Sequence, residues 1–169
     1  MDGQATLAVY RIRRATAADA GVLARHRAEM FRDMGELPDA LHDTLIEAAR
    51  AYFTQAVADG RYVAWVAELD DQSKAIVAGA GLQLRELLPR PYGARGRLVR
   101  GPQGLVMNVY TERAWRRRGV ADALMRELLQ WCRQNGIESV VLHASPEGRR
   151  LYEKLGFTPT NEMRYDEGP

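Results

Sequence analysis

Between Asn108 and Ala121 the chain reads NVYTERAWRRRGVA. Three consecutive arginines, Arg116, Arg117 and Arg118, run into Gly119, Val120 and the small Ala121, with Asp122 next. A glycine in such a turn lets backbone amides approach a ligand closely. A helix opening there adds N–H groups that no helix carbonyl can take, and the positive end of its dipole. That combination suits a phosphate or pyrophosphate. The same residues would also serve a helix start whose glycine is needed only for packing. What separates the two readings is the structure that must surround the turn.

The surroundings are those of a globular α/β chain. The 169 residues are 46% hydrophobic and 27% charged, which fits one domain with its own core, about 8–165 within 1–169. Apolar runs are a few residues long, so no membrane span is expected. The mixed start leads into Arg11, Arg13 and Arg14 rather than an apolar stretch, so no secretory signal is expected. Cys132 is the lone cysteine, which excludes an internal disulfide and a cysteine-built zinc site. The expected compartment is the cytoplasm, and no metal is expected. The net charge is only +2, yet nine arginines against Glu86 and Glu112 crowd residues 85–118. That stretch meets solvent or an anion.

Periodicity supplies the elements. Residues 8–13 (AVYRIR) alternate as a strand, and Thr16 caps a helix whose stripe Val22, Leu23, His26, Met30 ends before Gly35. A second helix, 38–58, carries Leu41, Leu45, Ala48, Ala49, Tyr52, Phe53 and Val57 on one face. Residues 62–69 and 74–85 form a hairpin. Residues 88–104, rich in proline and glycine, are expected as a long surface loop. Residues 104–111 read as a central strand and 117–135 as the strongest helix. Then come a short buried strand at 139–143, a helix at 146–155, and a loop with a final strand at 157–165. The order β-α-α-β-β-β-α-β-α-β predicts an α/β (α+β) fold with a mixed sheet. It puts the arginine turn directly after a central strand, where α/β sheets bind ligands.

Arg116-x-x-Gly119-x-Ala121, followed after a helix and a strand by Leu151-Tyr152-x-x-x-Gly156-Phe157, resembles the GNAT superfamily of acyl-CoA-dependent N-acetyltransferases. The resemblance implies a mostly antiparallel sheet flanked by helices and acetyl-CoA or CoA as the bound cosubstrate. It implies that backbone amides from Arg117, Arg118, Gly119, Val120, Ala121 and Asp122 wrap the pyrophosphate, with Arg116 shaping the turn. It sets Asn108, Val109 and Tyr110 beside the pantetheine arm, with the amide near Val109 on the thioester carbonyl. It makes Tyr152 the acid that protonates the leaving thiolate, since a phenol keeps its proton at pH 7. Ser145 stands where many members have asparagine, and Gly148 where many have alanine; the shorter Ser145 would touch the cofactor arm weakly or through water.

Other residues stay open between chemistry and structure. His143 is a base or a structural histidine. His26 and His42 are structural or surface groups on the first two helices. Met30, Phe31 and Met34 form core or line an acceptor pocket. Glu29 and Asp33 are a solvated face or bind an ammonium group. Trp115 covers the cofactor or shields the turn, while Trp65 and Trp131 are packing residues. Cys132 is not expected as an acyl carrier. The implied reaction is direct acetyl transfer to a primary amine of a small molecule or peptide. The alternative is a module of this fold that binds CoA or senses a small molecule without turnover. No recognition-helix motif accompanies the arginines, so nucleic acid is not expected as a partner, and a homodimer is left open.

Overall fold

A computed structural model describes residues 9–92 and 96–166. Ala8, at the start of the first expected strand, and residues 93–95 of the expected loop lie outside the described residues. Five strands form the main sheet: β1 (Tyr10–Arg14), β2 (Tyr62–Leu69), β3 (Ile76–Arg85), β6 (Gln103–Thr111) and β7 (Ser139–Leu142), in the spatial order β1-β2-β3-β6-β7. The first three pairings are antiparallel and β6–β7 is parallel. The helix α3 (Val120–Gln134) makes the crossover that a parallel pair requires.

Helices cover both faces. On one, α1 (Ala20–Asp33) and α2 (His42–Ala58) bury Leu23, Ala24, Ala49, Phe53 and Ala56 against Tyr62, Ala64 and Val66 of β2. On the other, Val120, Leu124, Met125, Leu128 and Cys132 of α3 pack on Val63, Trp65, Ala67, Ala80 and Leu82. Alternate residues of β2 therefore point into two cores, and nearly the whole strand is buried. A short helix, α4 (Arg149–Lys154), flanks the α3 side.

Helix starts differ from expectation by local turns. Thr16 opens a single 3₁₀ turn, its N–H donating to Asp19 Oδ2 at 2.8 Å, and α1 proper begins at Ala20. A 3₁₀ turn at Asp39–Leu41 likewise follows Pro38 before α2. The expected loop at 88–104 contains a two-stranded antiparallel ribbon, β4 (Arg90–Tyr92) with β5 (Arg97–Val99). The expected last strand is not formed: residues 158–166 are exposed and unpaired in any sheet. Their only large apolar side chains, Met163 and Tyr165, are 93% and 86% exposed, so no core face draws the segment onto β7. As a result β7 is an edge strand and only half-buried, rather than the buried strand its composition suggests.

Candidate active site

The sheet splits where β6 outruns β7. The two pair from Gln103/Ser139 to Val106/Leu142, but β6 continues to Thr111. Among the described residues, no strand neighbours that edge of β6 beyond Val106. At the same point β6 is bulged. Its register with β3 jumps between Gly79, opposite Tyr110, and Gly81, opposite Met107. Asn108 makes the bulge, with a left-handed φ of +60° that asparagine tolerates better than most residues. The bulge re-aims side chains. Asn108 turns to α1, its Nδ2 donating to the Leu23 carbonyl at 3.0 Å, while its Oδ1 is buried without a partner among the described residues. Tyr110 also faces α1, its ring 5.0 Å from that of His26. Val109 lies against the core on the α3 side. Asn108 and Tyr110 therefore have only backbone to offer a ligand in the split.

The arginine turn follows at the end of this strand. Arg116 Nε donates to the Thr111 carbonyl at 2.9 Å, and its other end pairs with Asp33 of α1. Arg113 reaches the same carboxylate at 2.7 Å. Burial favours the neutral acid at Asp33, but the two arginines outweigh it and hold its pKa below the ordinary value. Asp33 is therefore a clamp on the turn, neither an ammonium site nor a free surface acid. Arg117 has φ +60° and Gly119 φ +78°, so two left-handed residues bracket Arg118. Helix α3 begins at Val120 rather than within the arginines. Among the described residues no hydrogen bond takes the backbone N–H groups of residues 117–122. They form a set of unpaired donors at the positive end of a 15-residue helix. Arg118 lies over Trp115, 5.2 Å from the ring centroid, and Trp115 packs edge-on to Tyr10. Trp115 thus shields the turn from below. Asp122 is held by Arg126 and Lys154, leaving only its N–H for an anion.

Tyr152, on α4, is half-buried beside Phe157, and burial raises its pKa, so it stays a phenol. Gly148 makes room for it: a Cβ there would lie 2.9 Å from Tyr152 Cε2. Ser145 Oγ accepts from the Gly148 N–H at 3.2 Å, a cap on the turn that leads into α4. Its hydroxyl proton is the group left for a ligand. His143 Nε2 meets the Glu162 carboxylate at the exposed surface.

Sequence periodicity conceals a second feature. A cavity of about 260 Å³ lies between α1, α2 and the sheet, lined by Arg27, Leu45, Tyr52, Phe53, Tyr62, Gln83, Met107 and Asn108, among others. Leu45, Tyr52 and Phe53 belong to the stripe read as the α2 core face. The signal that could have found the cavity is Gly81 in β3. A Cβ on Gly81 would stand 2.3 Å from the Tyr62 hydroxyl, so that ring occupies the space the glycine leaves. A Cβ on Gly79 would make only ordinary contact with His26 Nδ1, at 3.6 Å, outside the cavity. Met30, Phe31 and Met34 do not line this cavity and belong to neither buried core cluster. Glu29 pairs with Arg32 and His42. Trp65 and Trp131 pack edge-on with Arg14 over both rings. Burial pushes the Cys132 thiol up to about 11, far from a nucleophile.

The sequence profile of the Acetyltransferase (GNAT) family matches residues 24–157. Glucosamine 6-phosphate N-acetyltransferase 1 of Oryza sativa subsp. japonica is 29% identical over 161 residues, covering 95% of this chain and 86% of that protein. A GCN5-related N-acetyltransferase from Ralstonia eutropha JMP134 superposes with a TM-score of 0.81 at 30% identity, over 94% of this chain and 99% of its own. A predicted acetyltransferase from Clostridium acetobutylicum, solved with acetyl-CoA, superposes at 0.76 with 26% identity, over 94% and 96%.

Proposed function

The chain belongs to the GNAT acetyltransferase family, and on that premise we propose that it moves the acetyl group of acetyl-CoA directly to a primary amine. Membership makes it an acyltransferase with a mixed, mostly antiparallel sheet. The observation that carries the proposal is the turn before α3, where six consecutive amides are free beside a split in the sheet. Its donors and the exposed Arg117 and Arg118 fit a pyrophosphate. Arg116 serves the turn from behind, through Thr111 and Asp33. The free edge of β6 from Met107 onward suits a ligand arm lying along it as an added strand, with Ser145 across the split.

The thioester of acetyl-CoA supplies the activated acetyl group. The residues of this chain position and polarise it. The amide near Val109, at the bulge, takes the carbonyl oxygen as charge develops. The amine nitrogen bonds the acetyl carbon as the carbon–sulfur bond breaks; Tyr152 gives its proton to the departing thiolate, and the proton the nitrogen sheds passes through water, which restores the phenol. The acceptor enters from the cavity on the α1–α2 side, which Asn108 joins to the bulge. Holding both reactants together is the larger part of the catalysis.

Thermal unfolding with acetyl-CoA, CoA and ATP side by side tests this. At a hundred times its dissociation constant, a CoA ligand stabilises the fold by about 2.7 kcal/mol. A chain of this length then melts roughly 5–10 °C higher. A shift with both CoA species and little with ATP is expected. Tyr152→Phe should lower kcat and leave the CoA shift intact. CoA binding with no turnover on any amine would point to a non-catalytic module instead. No shift with either CoA species at millimolar concentration refutes the site.

A further inference from the structure

The cavity beside the bulge has a chemistry of its own. Its lining is largely apolar or aromatic, with Leu45, Ala49, Phe53 and Met107 offering no hydrogen-bonding side chain. Gln83 is paired with the Tyr52 hydroxyl and the Tyr62 hydroxyl with the Met107 carbonyl, which leaves two polar groups of the lining to address a ligand, one from β6 and one from α1. The first is Asn108 Oδ1. The Leu23 carbonyl can only accept, so it fixes Nδ2 toward itself and leaves Oδ1 as the unpaired atom. Asn108 is 4% exposed, and a buried carbonyl of this kind is costly until an N–H donor reaches it. The second is Arg27. It lines the cavity with its guanidinium 4.9 Å from the Phe31 ring centroid, and among the described residues it pairs with no carboxylate.

Leu23 and Arg27 are one helical turn apart, about 6 Å along the axis. Asn108, bonded to Leu23, and Arg27 both line the α1 wall of the cavity, and a guanidinium on a long flexible stem can leave Phe31 to meet an anion beside Asn108. The apolar wall of α2 addresses the rest of a bound molecule. An amine and an anion on neighbouring atoms, with an apolar body beyond them, describe an amino acid. We propose that the acceptor is a free α-amino acid with an aliphatic or aromatic side chain, its amine on Asn108 and its carboxylate on Arg27. This rests on the proposed acetyl transfer at the bulge, since it gives Asn108 the amine that attacks. Other amines fit less well. A sugar phosphate would set most of its hydroxyls against Leu45, Phe53 and Met107 and would have to break the Gln83–Tyr52 hydrogen bond to satisfy the rest. A polyamine would set a second cation against Arg27. An amidated or peptide-linked residue lacks the carboxylate.

The test compares L-leucine and L-phenylalanine with isoamylamine and 2-phenylethylamine, their decarboxylated counterparts, and with glucosamine 6-phosphate and spermidine. Free-thiol release gives kcat/KM with acetyl-CoA, and calorimetry gives amino-acid binding to the full chain with and without CoA. The amino acids should exceed their decarboxylated counterparts at least tenfold in kcat/KM, and the other two amines by more. Arg27→Gln should collapse that preference to within about threefold, and Arg27→Lys should restore part of it. Equal use of amine and amino acid overturns the proposal, as does a preference that survives in Arg27→Gln, or glucosamine 6-phosphate as the best acceptor. If CoA raises the melting temperature but no amino acid binds, the acceptor class fails and the acetyl-CoA reading stands. If an amino acid binds but neither CoA species does, the transfer reading fails while the pocket chemistry holds.

Discussion

Helix α3 carries its own internal control. Gly119 precedes it and Gly136 follows it, with φ of +78° and +68°. A Cβ at either position would meet nothing within 4 Å. Alanine at each should therefore cost the same thing, the strain of a left-handed residue with a Cβ, about 1–2 kcal/mol. In a chain of this length that lowers Tm by roughly 2–8 °C. Gly119→Ala and Gly136→Ala should match in this respect. They should part when CoA is added. Gly119 lies among the free amides of residues 117–122, and a methyl there stands where the phosphate oxygens must approach. Gly136 is at the far end of the helix. We expect Gly119→Ala to weaken CoA binding at least tenfold, about 1.4 kcal/mol, with Gly136→Ala within twofold of the parent. Urea unfolding gives the first comparison and calorimetric titration with CoA the second. Equal CoA affinity in the two variants, with equal loss of stability, would refute the assignment of the turn.

Gly148→Ala should leave CoA affinity unchanged and lower kcat about tenfold, because the new methyl displaces the Tyr152 ring from 2.9 Å. Steady-state kinetics with acetyl-CoA and an accepted amine decide this, and an unchanged kcat separates Tyr152 from the chemistry. His26 predicts a pH effect. It is fully buried, its Nε2 only 3.5 Å from Glu112 Oε1, and among the described residues neither ring nitrogen makes a hydrogen bond. Burial, then Arg25, depress its pKa from 6.5 to about 4 against the pull of Glu112. The unfolded chain therefore binds this proton first as pH falls. Stability is full above about pH 6.5 and declines below it, by roughly 3 kcal/mol near pH 4. Urea midpoints at pH 7.5 and 5.0 should differ less in His26→Gln than in the parent; the same difference in both would show that His26 is not the group.

The parts of the site legible in the sequence are those that one stretch of chain builds alone. Arg116 to Asp122 needs only a strand end, a glycine and a helix start, and each leaves a local mark. The helix stripe of α3 and the hairpin of β2 and β3 are legible for the same reason, since periodicity reports which face is buried. The strand expected at 157–165 shows the limit of that logic. Residues 161–165 alternate weakly, but a strand also needs a partner and a face to bury, and Met163 and Tyr165 have neither. The ribbon of β4 and β5 is the reverse case, where pairing across a proline- and glycine-rich stretch leaves little periodic trace.

The cavity between α1, α2 and the sheet was hidden for a deeper reason. Its lining comes from α1, α2, β2, β3 and β6, so no local spacing marks it. Leu45, Tyr52 and Phe53 follow a core helix pattern because they do bury one face; what the pattern lacks is whether something fills the space opposite. That depends on Gly81 accepting the Tyr62 ring and on Asn108 leaving the strand at positive φ. Asn108 connects the two halves of the site. One unusual backbone angle, where β6 has just outrun β7, turns the side chain to α1 and places an unpaired carbonyl on the wall of the cavity. Replacing it with glycine would keep the bulge and delete the carbonyl. Asn108→Gly therefore separates the contributions. Cosubstrate binding should follow the backbone and survive, while the acceptor KM should rise at least tenfold. A rise in the CoA dissociation constant with no change in acceptor KM would place Asn108 in the wrong half of the site.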